Sequence, residues 1–237
     1  MQLSLEFGGQ NVCLPLAYRY LVQGMIYGAL ESDPGYADLL HNGTGEGRQF
    51  KLFTFGQLEG SYTLREKQIL FPEGMRLEIR SIREGLLMRL LQFFHVGRQV
   101  RLGTNLLTVT GCHLENRVVR EDSILIATRS PIVAYVTEEA GKTRFFSPEE
   151  EAFYAMIAAN ARRKWQSCYG AEMPGALSVA PVENVRFRKQ VTLFKNTRIT
   201  AWDGRFRLWG DPRVLDFLYH TGLGAKNSQG FGMFAIL

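Results

Sequence analysis

SPEEEAFYAMIAANARRKWQSC, residues 147–168, reads as a helix from its first residue onward. Ser147 and Glu150 have capping-box spacing, and Pro148 falls at the first helical position, where its missing N–H costs nothing. Phe153, Met156, Ile157 and Ala161 then continue one apolar face toward Cys168. Arg162, Arg163 and Lys164 form a basic run that reads as solvated helix surface. Ahead of this helix, residues 123–137 are rich in Ile, Val and Tyr and predict a strand interrupted near Pro131 by a bend or edge position. Behind it, residues 176–191 and 197–209 predict two strands, 211–219 a short helix and 231–237 a last strand. The order is β-α-β-β-α-β.

The preceding residues repeat that order. Gln2 to Phe7 predicts a strand, and Leu21, Met25 and Ala29 mark the apolar stripe of a helix over 16–30. KLFTF at 51–55 and the segment 68–81 predict strands. Leu86, Leu87, Leu90, Leu91 and Phe94 outline a second helix, and 100–114 is rich in strand formers. Two split βαβ units follow: an α+β protein of two tandem ferredoxin-like (RRM-like) βαββαβ domains, 1–120 and 121–237, with the boundary near 117–123.

Composition is that of a folded protein. Of 237 residues 46% are hydrophobic and 22% charged, and 28 Lys plus Arg against 23 Asp plus Glu leave a formal charge of +5. No stretch approaches the roughly 18 apolar residues of a spanning helix. The opening MQLSLEFGG lacks the basic flank and apolar core of a secretion signal, so a cytoplasmic protein without a membrane partner is expected. Cys13, Cys112 and Cys168 are odd in number and lack CxxC spacing, which supports neither a disulfide framework nor a structural zinc site. Neither metal nor cofactor is expected.

Ferredoxin-like domains host many activities, so site chemistry must decide function. TGLGAKNSQGFGM, residues 221–233, places Gly222, Gly224, Gly230 and Gly232 between the last predicted helix and strand. Glycines there let a backbone approach a ligand and expose N–H groups, and Lys226 adds charge suited to phosphate. The spacing is neither a dinucleotide fingerprint nor a Walker loop, and a tight connection needing positive φ is the structural alternative.

This GxGxxxxxGxG pattern near the C-terminus resembles the hallmark loop of the CRISPR-associated repeat-processing endoribonucleases, the sixth Cas family of the RAMP superfamily. QGMIYGAL at 23–30, LLH at 39–41 and KLFTF at 51–55 also resemble segments of that family. The resemblance implies two ferredoxin-like domains and a precursor CRISPR repeat RNA as partner. It further implies metal-independent cleavage by attack of the RNA's own 2′-hydroxyl, leaving 2′,3′-cyclic phosphate and 5′-hydroxyl ends. A repeat-binding protein that does not cut is the alternative within the family. A CRISPR effector complex and a second copy of the chain are further candidate partners.

Carried over by motif, the catalytic candidates are His41, Tyr27 and Lys51. His41 titrates nearest neutrality and suits the acid or base, Lys51 suits charge stabilisation, and Tyr27 can position the 2′-hydroxyl or share proton transfer. A helix C-cap for His41, a half-buried tyrosine for Tyr27 and a solvated strand end for Lys51 are the structural alternatives. Arg48 can supply the charge instead of Lys51, and His220, beside the glycine loop, is the rival histidine; His95 and His113 read as structural. The RNA-binding candidates are Gly222, Gly224, Lys226, Asn227, Gly230 and Gly232 of the loop, with Arg186, Arg188 and Lys189 as a basic row on a predicted strand. Lys195 and Arg198 are secondary candidates by resemblance, and Trp202 and Trp209 read as core.

Overall fold

The computed structural model describes residues 1–31, 50–139, 141–195 and 197–237. The first half runs β1 (Gln2–Gly8), β2 (Val12–Pro15), α1 (Arg19–Leu30), β3 (Phe53–Phe55), β4 (Thr63–Arg65), β5 (Gln68–Phe71), β6 (Met75–Ser81), α2 (Glu84–Phe93), β7 (Gln99–Leu102) and β8 (Asn105–Glu115). Its main sheet has the order β3-β6-β1-β8-β7, with antiparallel neighbours throughout. Leu5 sits at the centre, paired with Leu77 on one side and Cys112 on the other.

The second half runs β9 (Ser123–Thr128), β10 (Tyr135–Thr137), β11 (Thr143–Phe145), α3 (Glu151–Tyr169), β12 (Ser178–Pro181), β13 (Arg188–Phe194), β14 (Thr197–Asp203), β15 (Arg205–Trp209), α4 (Pro212–Thr221) and β16 (Phe234–Ile236). Its sheet order is β12-β15-β9-β16. Apart from the hairpin partner β7, both sheets place the second, third, first and fourth strands of a βαββαβ unit side by side. That is the ferredoxin-like arrangement. No helix among the described residues is long and apolar enough to cross a membrane.

Several predicted strands are divided. Residues 68–81 form β5 and β6, separated at Pro72 and at Gly74, whose φ of 108° few side chains adopt. Residues 100–114 form the β7–β8 hairpin rather than one strand, and β13–β14 is a separate ribbon inserted between β12 and β15. Helix α3 starts at Glu151, later than Pro148. The Ser147–Glu150 pairing does form, with the Ser147 N–H donating to the Glu150 carboxylate at 2.7 Å, but it closes a turn ahead of the helix. In α1 the core stripe is Val22, Ile26, Ala29 and Leu30, while Leu21 and Met25 are only half-buried on its flank.

β6 carries the feature that brings the halves together. Leu77 and Ile79 point into the first core with α1 and α2, and the alternate residues Glu78 and Arg80 are buried on the opposite face, at 6% and 3% exposure. Arg80 pairs with Glu78, donates to the Phe234 carbonyl at 2.6 Å and lies 3.8 Å over the Tyr219 ring. Thr54 on β3 donates to the Phe231 carbonyl at 3.2 Å. The first sheet's second face is thus closed by the C-terminal α4–β16 region.

Candidate active site

The glycine-rich segment connects α4 to β16 and lies wedged between the two halves. Its N–H groups are largely spent on protein: Leu223 donates to Gly232, Ala225 to Val133, Gly230 to Asn227 and Gly232 to Pro131, all within 3.0 Å. The four glycines are buried, and only the tip, residues 225–229, is half-exposed. The close approach they permit is therefore to neighbouring protein groups. Gly222 and Gly232 flank the side chain of Asn227: a Cβ on either would sit 2.7 Å from its amide nitrogen. That nitrogen donates to Leu223 O at 2.9 Å and Phe231 O at 3.0 Å, lacing the two limbs of the loop together. Asn227, grouped by sequence with the RNA contacts, is engaged inside the loop by these bonds.

Helix α1 docks on this loop. Arg19 is buried, donates from Nε to Gly230 O at 3.1 Å and stacks on Phe231. One turn on, Gln23 donates to Ser228 O at 2.8 Å and to the Tyr27 hydroxyl at 3.3 Å. Tyr27 is half-buried, and burial pushes its phenol above the usual range, partly offset by a hydrogen bond with Ser228. It keeps its proton at neutral pH.

Lys51 reaches the same place from the other side. Its ammonium lies 5.1 Å over the Tyr27 ring, and burial holds its pKa below the ordinary lysine value. The adjacent Leu52 adopts φ 52°, an uncommon conformation for a branched side chain. This twist buries Leu52 in the second half's core while Phe53 enters the first, which leaves Lys51 facing the space between. A cleft of about 250 Å³ opens there, lined by Lys51, Asn160, Lys164, Thr221, Lys226 and Gln229 among others.

Lys164 corrects the reading of its neighbourhood. It is 2% exposed, where the basic run of 162–164 predicted solvated surface. Its ammonium donates to the Gly222 carbonyl at the end of α4 and to the Asn227 side-chain oxygen at 3.2 Å. With no carboxylate partner among the described residues, burial lowers its pKa to about 7. The signal was available in the sequence: Ile157, Ala161 and Lys164 are spaced i, i+4, i+7 on one apolar stripe.

The structure thus brings Tyr27, Lys51 and the loop tip with Lys226 together. His41 and Arg48 lie outside the described residues. His220 is buried away from this cleft, beside the amino terminus. Its Nδ1 is 2.9 Å from Asp216 O, and burial first, then the terminal ammonium, lowers its pKa. Arg186 precedes β13 instead of sharing a strand face with Arg188; Arg188 and Lys189 open that strand, and all three are exposed. Lys189 lies 5.7 Å from the half-buried Trp202 ring, and Lys195 and Arg198 are exposed toward the far end of the same ribbon. Trp209, predicted as core, is 42% exposed on β15. The cysteines are free and half-buried, and no cluster of His, Cys, Asp or Glu among the described residues is arranged to hold a metal.

The family model for the C-terminal part of the CRISPR-associated protein Cas6 matches residues 114–236, more than half the chain. The chain belongs to the Cas6 family. It is 29% identical over 234 residues to the CRISPR-associated endoribonuclease Cas6 of Pyrococcus furiosus, covering 93% of this chain and 82% of that one. It is 27% identical over 249 residues to the CRISPR-associated endoribonuclease Cas6 1 of Methanocaldococcus jannaschii, covering 98% and 91%. Among solved structures, a RAMP protein described as binding different RNA substrates superposes with a TM-score of 0.86 at 21% identity, covering 100% of this chain and 99% of that one. As a Cas6-family chain, it carries the glycine-rich wedge and Lys164 inside the region that the family model spans.

Proposed function

We propose that this Cas6-family protein is an endoribonuclease that cleaves precursor CRISPR RNA within its repeats, without a metal, through the RNA's 2′-hydroxyl. We further propose 1–120 and 121–237 as its two domains, the first supplying the catalytic side chains and the second the glycine-rich loop. The observation that carries the reading is a cationic cleft that joins Lys51 to the loop tip, with Tyr27 at its edge, its ring beneath the Lys51 ammonium and its hydroxyl bonded to Ser228. The chemistry needs three things. A base takes the 2′ proton, the 2′ oxygen bonds to the adjacent phosphorus as the bond to the 5′ oxygen breaks, and an acid protonates that leaving oxygen. Positive charge must meet the phosphoryl oxygens as negative charge builds on them.

In this reading Lys51 and Lys226 supply the charge, and the protonated Tyr27 hydroxyl donates to, or positions, the reacting oxygens. His41 acts as the acid or base. Arg186, Arg188 and Lys189, with the exposed ribbon behind them, bind flanking phosphates. The test is cleavage of end-labelled repeat RNA in EDTA, beside copies carrying 2′-deoxy at the cut nucleotide. A single cut is expected, abolished by the 2′-deoxy substitution and slowed by roughly 10² or more in His41→Ala. Cleavage that survives the 2′-deoxy substitution or requires a metal would falsify the mechanism. Tight binding without a cut would make the protein a non-catalytic repeat binder.

A further inference from the structure

We infer that Lys164 is a positioning residue: its ammonium holds the glycine-rich loop in the geometry that presents the loop tip to Tyr27 and Lys51. The inference rests on the endoribonuclease reading for its consequence in catalysis, though not for the hold itself. Lys164 sits on α3, outside the segments that supply Tyr27 and Lys51, and reaches the loop at two points. It donates to Gly222 O, the carbonyl that ends α4, where a cation is favoured by the helix dipole. It also donates to Asn227 Oδ1. That second bond orients the amide, because Asn227 must then turn its nitrogen toward Leu223 O and Phe231 O on the two limbs.

From Asn227 the chain of contacts continues without a gap. The next residue, Ser228, accepts from Gln23 on α1, and Gln23 contacts the Tyr27 hydroxyl. Lys164 therefore acts on the candidate catalytic tyrosine through Asn227, Ser228 and Gln23. Folding alone does not ask for a lysine here. The ammonium has no carboxylate partner among the described residues, so its burial costs stability, and a neutral amide donor could serve the same two acceptors at lower cost. Asn160, one turn earlier on α3, adds a second buried polar group on the same cleft, its amide oxygen without a hydrogen bond among the described residues. Polar groups gathered at such expense mark a working site.

The test is Lys164→Met in the full chain, read in three ways. The variant should remain folded, because the desolvation cost removed with the ammonium offsets the loss of a donor by Gly222 O and Asn227 Oδ1. Hydrogen exchange of free protein should be faster over residues 222–232. Single-turnover cleavage of repeat RNA at saturation should fall by about tenfold or more, while the half-saturating RNA concentration moves less than about threefold. Because Lys164 acts through Asn227, Asn227→Ala should lose a similar factor, and the double variant should lose little more than either single one. Unchanged exchange over 222–232 overturns the hold. Faster exchange with unchanged cleavage at saturation, a loss confined to affinity, or fully additive losses overturn the positioning role. If the unmodified protein cuts no repeat RNA, the endoribonuclease reading falls, and the exchange measurement still decides whether Lys164 holds the loop. Should Lys164→Met not fold, Lys164→Gln carries the same readouts.

Discussion

Lys51 is aimed by its neighbour. A left-handed Leu52 sends consecutive side chains into different cores, and the ammonium is left over the Tyr27 ring at 5.1 Å. An interaction at that distance favours the cation while partial burial opposes it, and the net direction is a lowered pKa. Tyr27 is in the opposite position: burial favours its neutral, proton-bearing form, which suits the donor role proposed for it. Tyr27→Phe removes the hydroxyl and keeps the ring beneath Lys51. Cleavage at saturating RNA is expected to slow by about tenfold or more with affinity nearly unchanged, which a comparison of single-turnover rates with gel-shift titrations would show. Equal losses in both would make Tyr27 a binding group. Tyr27 and Lys51 were legible because they lie in segments resembling a known family; Lys164 was passed over because a run of three basic residues suggests solvent, whatever the stripe beneath it.

At the scale of the element, the glycine-rich loop is a structural part before it is a ligand site. Two of its glycines exist to admit the Asn227 amide, and Gly230 lies against the Phe55 ring. Gly232→Ala places a Cβ onto the Leu223 carbonyl at a φ of 78°, so both sterics and backbone conformation oppose it. A loss of about 2 kcal/mol or more is expected in chemical denaturation, with cleavage reduced even where the variant is folded. A variant as stable and as active as the parent would contradict the wedge. Glycine spacing revealed the loop but not its partners, since the same spacing serves phosphate or protein, and the difference lies in residues such as Pro131, Val133 and Phe55 that are distant in sequence.

Across the whole molecule, the halves are joined by polar groups buried on the first sheet's second face. Arg80→Leu would leave Glu78 buried without its partner and remove the bond to Phe234. Urea unfolding should show a loss of about 3 kcal/mol or more, largely recovered when Glu78 is also made Leu. Lys164 gives a pH signature. Its folded-state pKa near 7 is below the ordinary 10.5, so between those values the unfolded chain holds the extra proton and stability rises with pH. Below about pH 7 both states are charged and the cost of burial is fully present, so Lys164→Met should gain most over the parent there and progressively less toward pH 10. A constant difference across that range would show that Lys164 is not buried as a cation. The sequence by itself determined the βαββαβ order of each half, because apolar periodicity is local and the two periods differ. It also displayed the glycine pattern, and family resemblance added His41, Tyr27 and Lys51 as candidates. Only the tertiary structure decided that β6 is buried on both faces, that the glycines receive protein, and that Lys164 reaches the cleft. Each of these depends on which distant surface covers a residue, and local spacing carries no record of that.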